Sequence, residues 1–241
     1  LTPLFYFLTL LVILTIVLGG SNLNNIPANA ILQLAAVPVL AAALYRLLIC
    51  PSIARDARTS LFLLGSGLLV PLAQLVPLPE ALWRWLPFRD LAGSVLTLLG
   101  APPGGGPISL APFLTTVSYL TLLPALTIFL AVLSFNTRER VSILMVFNGM
   151  ALASAFLGLL QFSQNSPRGA YLYADMGAGD VVGFFANRNH FAALMYAATP
   201  FSVAWIIMAL GPAQKREVDD VRRHRSHTTS GRRTRAAQSL W

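Results

Sequence analysis

Four polar side chains stand in a row where the chain enters an apolar stretch: Asn187, Arg188, Asn189 and His190. Polar and ionisable groups at such a junction are unfavourable unless they are solvated, paired or used. An asparagine there is typical of a helix cap, and a helix N-terminus with free N–H groups beside an arginine favours binding of a phosphate or diphosphate. The spacing by itself favours the structural alternative, namely a cap, an arginine that reaches the membrane surface and a hydrogen-bonded histidine.

The elements that must position these residues are membrane helices. Apolar residues make up 56% of the 241 positions and charged residues 11%, a composition that suits a bilayer and not a water-soluble core. An all-α, polytopic transmembrane bundle is therefore predicted over residues 1–211, followed over residues 212–241 by a basic cytoplasmic tail that is expected to be disordered. Six stretches have the length of a membrane-spanning helix: 4–19, 26–45, 60–78, 112–135, 141–162 and 191–211.

The charges between these stretches predict the orientation of the chain. Thirteen of the 17 Lys and Arg residues fall in the loops 46–59 and 136–140 and in the tail, and four fall in the loops 79–111 and 163–190. Because basic loops stay in the cytoplasm, both termini are expected there and the loops 79–111 and 163–190 are expected in the periplasm. Trp83 and Trp85 are expected at the outer membrane surface. No aromatic residues alternate with the basic ones, so the predicted partner of the tail is membrane lipid and not nucleic acid.

The stretch from Gly183 to Ala192 resembles the signature of the O-antigen ligase and O-antigen polymerase family, which often reads Gly-x-Phe-x-Asn-(Pro or Arg)-Asn-x-x-Ala at the start of a helix. The matching positions are Gly183, Phe185, Asn187, Arg188, Asn189 and Ala192. Weaker similarities are Gly158-Leu-Leu-Gln161 at the end of the fifth stretch, Pro107-Ile-Ser-Leu-Ala-Pro112 before the fourth, and Val76-Pro-Leu-Pro79 followed by Leu82-Trp83. The similarity covers roughly residues 60–211.

The resemblance implies an enzyme of the bacterial inner membrane, active in polysaccharide or lipopolysaccharide biosynthesis. It transfers or polymerises a glycan from an undecaprenyl-diphosphate donor on the periplasmic side, without a metal or another cofactor. An acceptor hydroxyl attacks the sugar C1 while the lipid diphosphate leaves, so cations beside the diphosphate stabilise the departing charge. Arg188 and Arg168 are the expected cations, His190 ranks after them, and Asn187 and Asn189 complete the predicted binding site. The resemblance assigns no catalytic residue and no oligomeric state.

Departures from the family pattern keep other functions open. Many members have an arginine three residues before the motif glycine, where this chain has Asp180. Members usually add a second periplasmic loop with a further Arg and a His, whereas His224 and His227 lie in the predicted cytoplasmic tail. The expectation is therefore the N-terminal half of such an enzyme. One alternative is a non-catalytic subunit or remnant; a transporter or flippase-like protein is less favoured, because the helix interiors offer little beyond Asn148 as a polar group.

Overall fold

The computed structural model describes residues 1–20, 26–100, 104–164, 170–173 and 180–210. Arg168 and the tail 212–241, on which some of the predictions fall, lie outside these ranges. Helices dominate the described chain, as predicted. In order they are α1 (Pro3–Leu18), α2 (Ile26–Ile49), α3 (Pro51–Asp56), α4 (Arg58–Leu75), α5 (Glu80–Arg84), α6 (Arg89–Leu98), α7 (Pro112–Thr121), α8 (Leu123–Ser134), α9 (Thr137–Gln164) and α10 (Arg188–Leu210). Two short strands, β1 (Pro77–Leu78) and β2 (Gly106–Pro107), lie between α4 and α7.

Five segments of the described chain are long and apolar enough to cross a membrane: Pro27–Ile49, Arg58–Leu75, Pro112–Ser134, Thr137–Gln164 and Arg188–Leu210. They coincide with five of the six predicted stretches, and the chain is a multi-pass helical membrane protein. The remaining prediction, residues 4–19, corresponds to α1 with its 16 residues. A helix of that length reaches about 24 Å, which is less than the roughly 30 Å of a hydrocarbon core. Six crossings and the orientation of the termini therefore stay predictions.

The core of the bundle is built around α1. One face of this helix is buried, with Leu8 and Leu11 almost completely covered, whereas Phe7 and Leu10 on the other face are exposed and suit lipid. The neighbouring helices α2, α8 and α9 pack against it, and small residues such as Ala36, Ala43 and Ala131 are buried in the same core. In contrast, α4 has no buried residue, so its apolar side chains form a surface suited to lipid.

The fourth predicted stretch, residues 112–135, consists of two helices. The first, α7, ends at Thr121, and α8 begins at Leu123 with Pro124 in its first turn. Proline has no amide hydrogen to donate and its ring crowds the preceding turn, so it starts a new helix instead of continuing the old one. The structure thus adds a break that the apolar pattern does not show.

A capping box moves the start of α9 to Thr137, ahead of the predicted residue 141. The Asn136 Oδ1 accepts the amide of Glu139 at 2.9 Å, and the Glu139 Oε2 accepts the amide of Asn136 at 3.3 Å. These reciprocal bonds satisfy amides that the first turn of a helix leaves without partners. The prediction of a loop over residues 136–140 is therefore wrong, because most of it is the first turn of α9.

Glu139 also joins three helices at the end of the bundle where α1 begins, which we call the inner end after the predicted topology. Its Oε1 accepts hydrogen bonds from the Thr2 amide at 2.9 Å and from the Thr2 hydroxyl at 2.7 Å. Arg46 of α2 donates to the Thr2 hydroxyl at 3.2 Å and lies 3.9 Å from the Glu139 Oε2. The buried carboxylate therefore has its partners at the end of a helix, and it does not lie unpaired within the bundle.

The outer segment, which we define as the residues between α4 and α7, contains α5, α6 and the antiparallel pair of β1 and β2. Trp83 is buried in this unit, and its indole N–H donates to the Pro107 carbonyl at 3.2 Å. Its surroundings are thus protein and not the lipid headgroups that the sequence predicts. Trp85, in contrast, is 87% exposed and is free to meet a membrane surface.

Candidate functional site

The motif of residues 183–192 lies at the outer end of the bundle, where α1 ends and α10 begins. Gly183 has a φ of +58°, in the left-handed region that favours glycine. A Cβ atom at this position would collide with Ser154 of α9 and would lie 2.9 Å from Phe191 Cδ2. The first residue of the motif is therefore a glycine for both its backbone conformation and its lack of a side chain.

Gln161 of α9 holds the backbone of the motif in place. Its Oε1 accepts the amides of Val182 at 3.1 Å and Gly183 at 2.9 Å. Its Nε2 donates to the carbonyls of Gly183 at 2.9 Å and Ala170 at 3.0 Å. The Gln161 side chain is fully buried, so these four bonds satisfy the amide group and the loop at once.

Small residues of α9 let the loop approach the helix closely. The Ser154 hydroxyl is fully buried and accepts the Phe184 amide at 3.3 Å. One turn further on, a Cβ atom on Gly158 would lie 2.9 Å from Val181 Cγ1, closer than real Cβ atoms come. Gly158 and Gln161, which end the fifth predicted stretch, thus both contact the loop that carries the motif.

The end of α1 touches the motif from the other side. The Gly20 carbonyl accepts the Ala186 amide at 2.7 Å, and a Cβ atom on Gly20 would lie 2.6 Å from Phe185 Cδ1. Tyr173, earlier in the same loop, donates its hydroxyl to the Val17 carbonyl at 3.2 Å. Burial raises the pKa of the Tyr173 phenol, so it keeps the proton that this bond uses.

Asn187 is the cap of α10. Its Oδ1 accepts the Asn189 amide at 2.8 Å, and its carbonyl accepts the amides of His190 at 3.1 Å and Phe191 at 3.2 Å. Arg188 and His190 lie in the first turn, as the sequence predicts. The cap leaves fewer free N–H groups than the prediction of an open helix N-terminus assumes. An anion at this end is therefore favoured by the helix dipole and by side chains more than by backbone amides.

An open cavity of about 590 Å³ lies beside the start of α10. The wall is shared by the end of α1, the first half of α2, the α7–α8 break and the start of α10. Its lining residues are Thr15, Gly19, Asn29, Leu32, Gln33, Thr121, Pro124, Ala125, Asn187 and His190. The polar groups among them are neutral amides and hydroxyls with one imidazole, a set suited to the hydroxyl groups of a sugar.

The structure separates the five predicted site residues into groups. Asn187 and His190 line the cavity, and the His190 ring lies edge-on to Phe185 with 6.3 Å between centroids. Arg188 and Asn189 are exposed in the first turn of α10 and do not belong to the lining. Arg168 lies outside the described residues. The imidazole that ranked below the arginines thus lines the cavity together with Asn187, whereas Arg188 does not, and the roles of all five residues stay predictions.

Sequence reasoning missed the polar residues of α2. Asn29 and Gln33 are four positions apart in an apolar helix, so they share the face that meets the cavity. The sequence could have indicated these two residues as part of a site, since a polar amide within a membrane helix is unfavourable in lipid without a partner. The candidate site therefore includes α2, which the apolar pattern predicts only as a membrane span.

No group of three or more His, Cys, Asp or Glu side chains with metal-binding geometry occurs in the part of the chain that the structure describes. Asp180, which stands where many family members have arginine, forms no ion pair with the described residues, and its carbonyl accepts the Tyr171 hydroxyl at 3.1 Å. Comparisons of the chain with protein-family models, with curated proteins and with solved structures find no match.

Proposed function

We propose that this chain belongs to a glycosyltransferase of the O-antigen ligase or polymerase type in the bacterial inner membrane. It would transfer or polymerise a glycan from an undecaprenyl-diphosphate donor on the periplasmic side. The observation that carries the proposal is the position of the family-like motif: it begins a membrane helix at the wall of a polar cavity, and buried residues of α9 hold it there.

The chemistry of the cavity supports a sugar as its occupant. Asn29 and Gln33 supply amides from α2, and Asn187 supplies an amide from the cap of α10. The Asn187 Oδ1 is used in the cap, whereas its NH₂ group has no hydrogen bond with the described residues and can donate to a sugar hydroxyl. Amide side chains can both donate hydrogen bonds to sugar hydroxyls and accept hydrogen bonds from them. A lining of amides therefore suits a glycan better than a lining of cationic side chains, which only donate.

Arg188 is the group available for the diphosphate. It follows the capping Asn187 directly and is exposed, and its side chain has no hydrogen bond or ion pair with any residue that the structure describes. A guanidinium held in the first turn of a helix adds its charge to the positive end of the helix dipole. Both stabilise the negative charge that develops on a departing diphosphate.

The proposed transfer step would use these groups. The acceptor hydroxyl forms the new bond to the sugar C1, the bond from C1 to the diphosphate oxygen breaks, and the diphosphate leaves with the electron pair. The proton of the hydroxyl passes to a base. Within the described lining of the cavity, His190 is the side chain that can act as that base or orient the reacting groups.

Complementation tests this function. Because the chain is expected to be the N-terminal half of such an enzyme, cells that lack their own ligase or polymerase receive it as part of a complete homologous protein, and glycan laddering is read on a gel. We expect Arg188→Ala to abolish laddering at unchanged membrane levels and Arg188→Lys to restore it partly, because lysine lacks the planar fork. His190→Ala should slow transfer by about 100-fold or more if the imidazole is the base.

Arg138→Ala is the matched control, because this arginine is equally exposed but lies at the inner end, in the first turn of α9. It should ladder like the wild type. Normal laddering by Arg188→Ala would show that the arginine has only a structural role. Absence of laddering with the wild-type gene would favour the non-catalytic alternative instead.

A further inference from the structure

Arg89, the first residue of α6, is a buried cation without full partners. Only 5% of the residue is exposed, and its Nη2 donates to the Ile108 carbonyl. The Nε and Nη1 atoms are buried, and neither has a hydrogen-bond partner in the described structure. Buried donors are almost always paired in proteins, because leaving one unpaired forfeits its hydration without compensation.

No carboxylate neutralises this charge in the described part of the chain. Glu80, the nearest acidic residue on α5, pairs with Arg84 at 2.6 Å, and Asp90 forms no ion pair with Arg89. The Arg89 guanidinium does lie over the ring of Trp83, 5.1 Å from its centroid. This contact offsets part of the desolvation, but it leaves both donor atoms without an acceptor.

Two cavities of different character meet at Arg89. The first, of about 600 Å³, is lined by Ser94 and Thr97 together with Arg84 and Asp90. Among the described residues, Arg84 of this lining is already paired with Glu80, whereas Arg89, which also lines the cavity, forms no ion pair.

The second cavity, of about 580 Å³, is apolar and is lined by Phe88, Leu91, Val95 and Leu110. Trp83 and Arg89 line both. A ligand that fits this pair has an anionic head with several acceptor oxygens and an apolar chain.

We propose that the outer segment binds the phosphate group of a membrane lipid at Arg89, with the apolar chain of the lipid in the second cavity. Phosphate oxygens satisfy guanidinium donors with strong, charge-assisted bonds. The outer surface of α6 fits a position at the membrane, since Leu91 and Leu98 are mostly exposed on a short helix with one apolar face. The site is separate from the motif, so it does not depend on the function proposed for Arg188.

Two ligand pairs test the proposal on the purified full chain in detergent. Dioctanoyl phosphatidic acid is compared with dioctanoylglycerol, which lacks the phosphate, and farnesyl diphosphate is compared with farnesol. Calorimetric titration should show that the phosphate-bearing member of a pair binds about tenfold or more tightly. A preference confined to the first pair identifies a glycerophospholipid, and one confined to the second pair identifies a prenyl diphosphate. Equal binding within both pairs overturns the proposal.

Variants of Arg89 locate the site. Arg89→Met should reduce the preference for phosphate to within about twofold, whereas Arg89→Lys should keep an intermediate preference through its charge. Arg138→Met, at the inner end, should bind like the wild type. An unchanged preference in Arg89→Met places the phosphate elsewhere and overturns the assignment. If Arg89→Met does not fold, the Arg89→Lys titration decides in its place. Lysine lacks the planar fork of the guanidinium, so an unchanged preference for phosphate in Arg89→Lys would overturn the assignment.

Discussion

Replacing Gln161 by methionine should release the motif from α9 without unfolding the bundle. Methionine nearly keeps the volume of glutamine but makes none of its four hydrogen bonds to the loop. Three of the backbone groups that lose a partner belong to the buried residues Val182 and Gly183. At about 1–3 kcal/mol for each buried group left unsatisfied, the strain reaches about 3–9 kcal/mol. The loop relieves this strain by opening to water.

Hydrogen–deuterium exchange of a peptide covering residues 181–191 measures this opening. A loss of about 3 kcal/mol in local stability corresponds to exchange that is roughly 100-fold faster. Gln164→Met is the matched control: it lies on the same helix, is exposed, and accepts one hydrogen bond, from the Ala170 amide at 2.9 Å. It should change the exchange by less than about tenfold. If Gln161→Met exchanges within threefold of the wild type, the four bonds do not hold the motif and our reasoning about the site fails.

Three further outcomes are expected. In thermal unfolding, Gly183→Ala should lower the free energy of unfolding by at least about 2 kcal/mol, because the left-handed φ and the contact with Ser154 both oppose a side chain. Gly149→Ala is the control: it has open space around it and should be neutral or slightly stabilising in the same measurement. Glu139→Gln should destabilise the bundle by about 1–3 kcal/mol, since the charge that Arg46 meets is lost; a midpoint equal to that of the wild type would contradict the inner-end network. In a Cys50→Ser background, an impermeant thiol reagent applied to intact spheroplasts should label a cysteine at position 176 and not one at 226; the reverse pattern would refute the predicted orientation.

The sequence predicts the spans well because the thickness of a bilayer fixes the length of the apolar stretch that crosses it. Every long helix needs about 20 apolar residues, and interruptions such as the Arg46-to-Arg58 region are visible in one pass. The start of α10 is predicted for a related reason: Asn187 stands directly before an apolar run, where an asparagine can cap a helix. Local chemistry also encodes the start of α9, through the Asn136 and Glu139 capping box, although hydropathy alone placed it later.

The parts that sequence reasoning missed depend on residues far apart in the chain. Gln161 is 22 positions from Gly183, and nothing local shows which backbone groups it meets. Asp90 follows Arg89 directly in the sequence, but adjacent residues of a helix point about 100° apart and do not face each other. That Arg89 forms no ion pair with any described residue is therefore visible only in the folded chain.

The bonds at the two ends of α1 give this helix a mechanical consequence. At its start, Thr2 is tied to Glu139 and Arg46; just past its end, the Gly20 carbonyl is tied to the Ala186 amide. Between these anchors runs a helix of about 24 Å, one face of which is buried in the core. An α-helix hardly stretches, so α1 acts as a fixed spacer. It sets the distance between the motif at one end of the bundle and the Thr2 contacts at the other, and a one-residue insertion in it would change that distance by about 1.5 Å and rotate the anchor by about 100°.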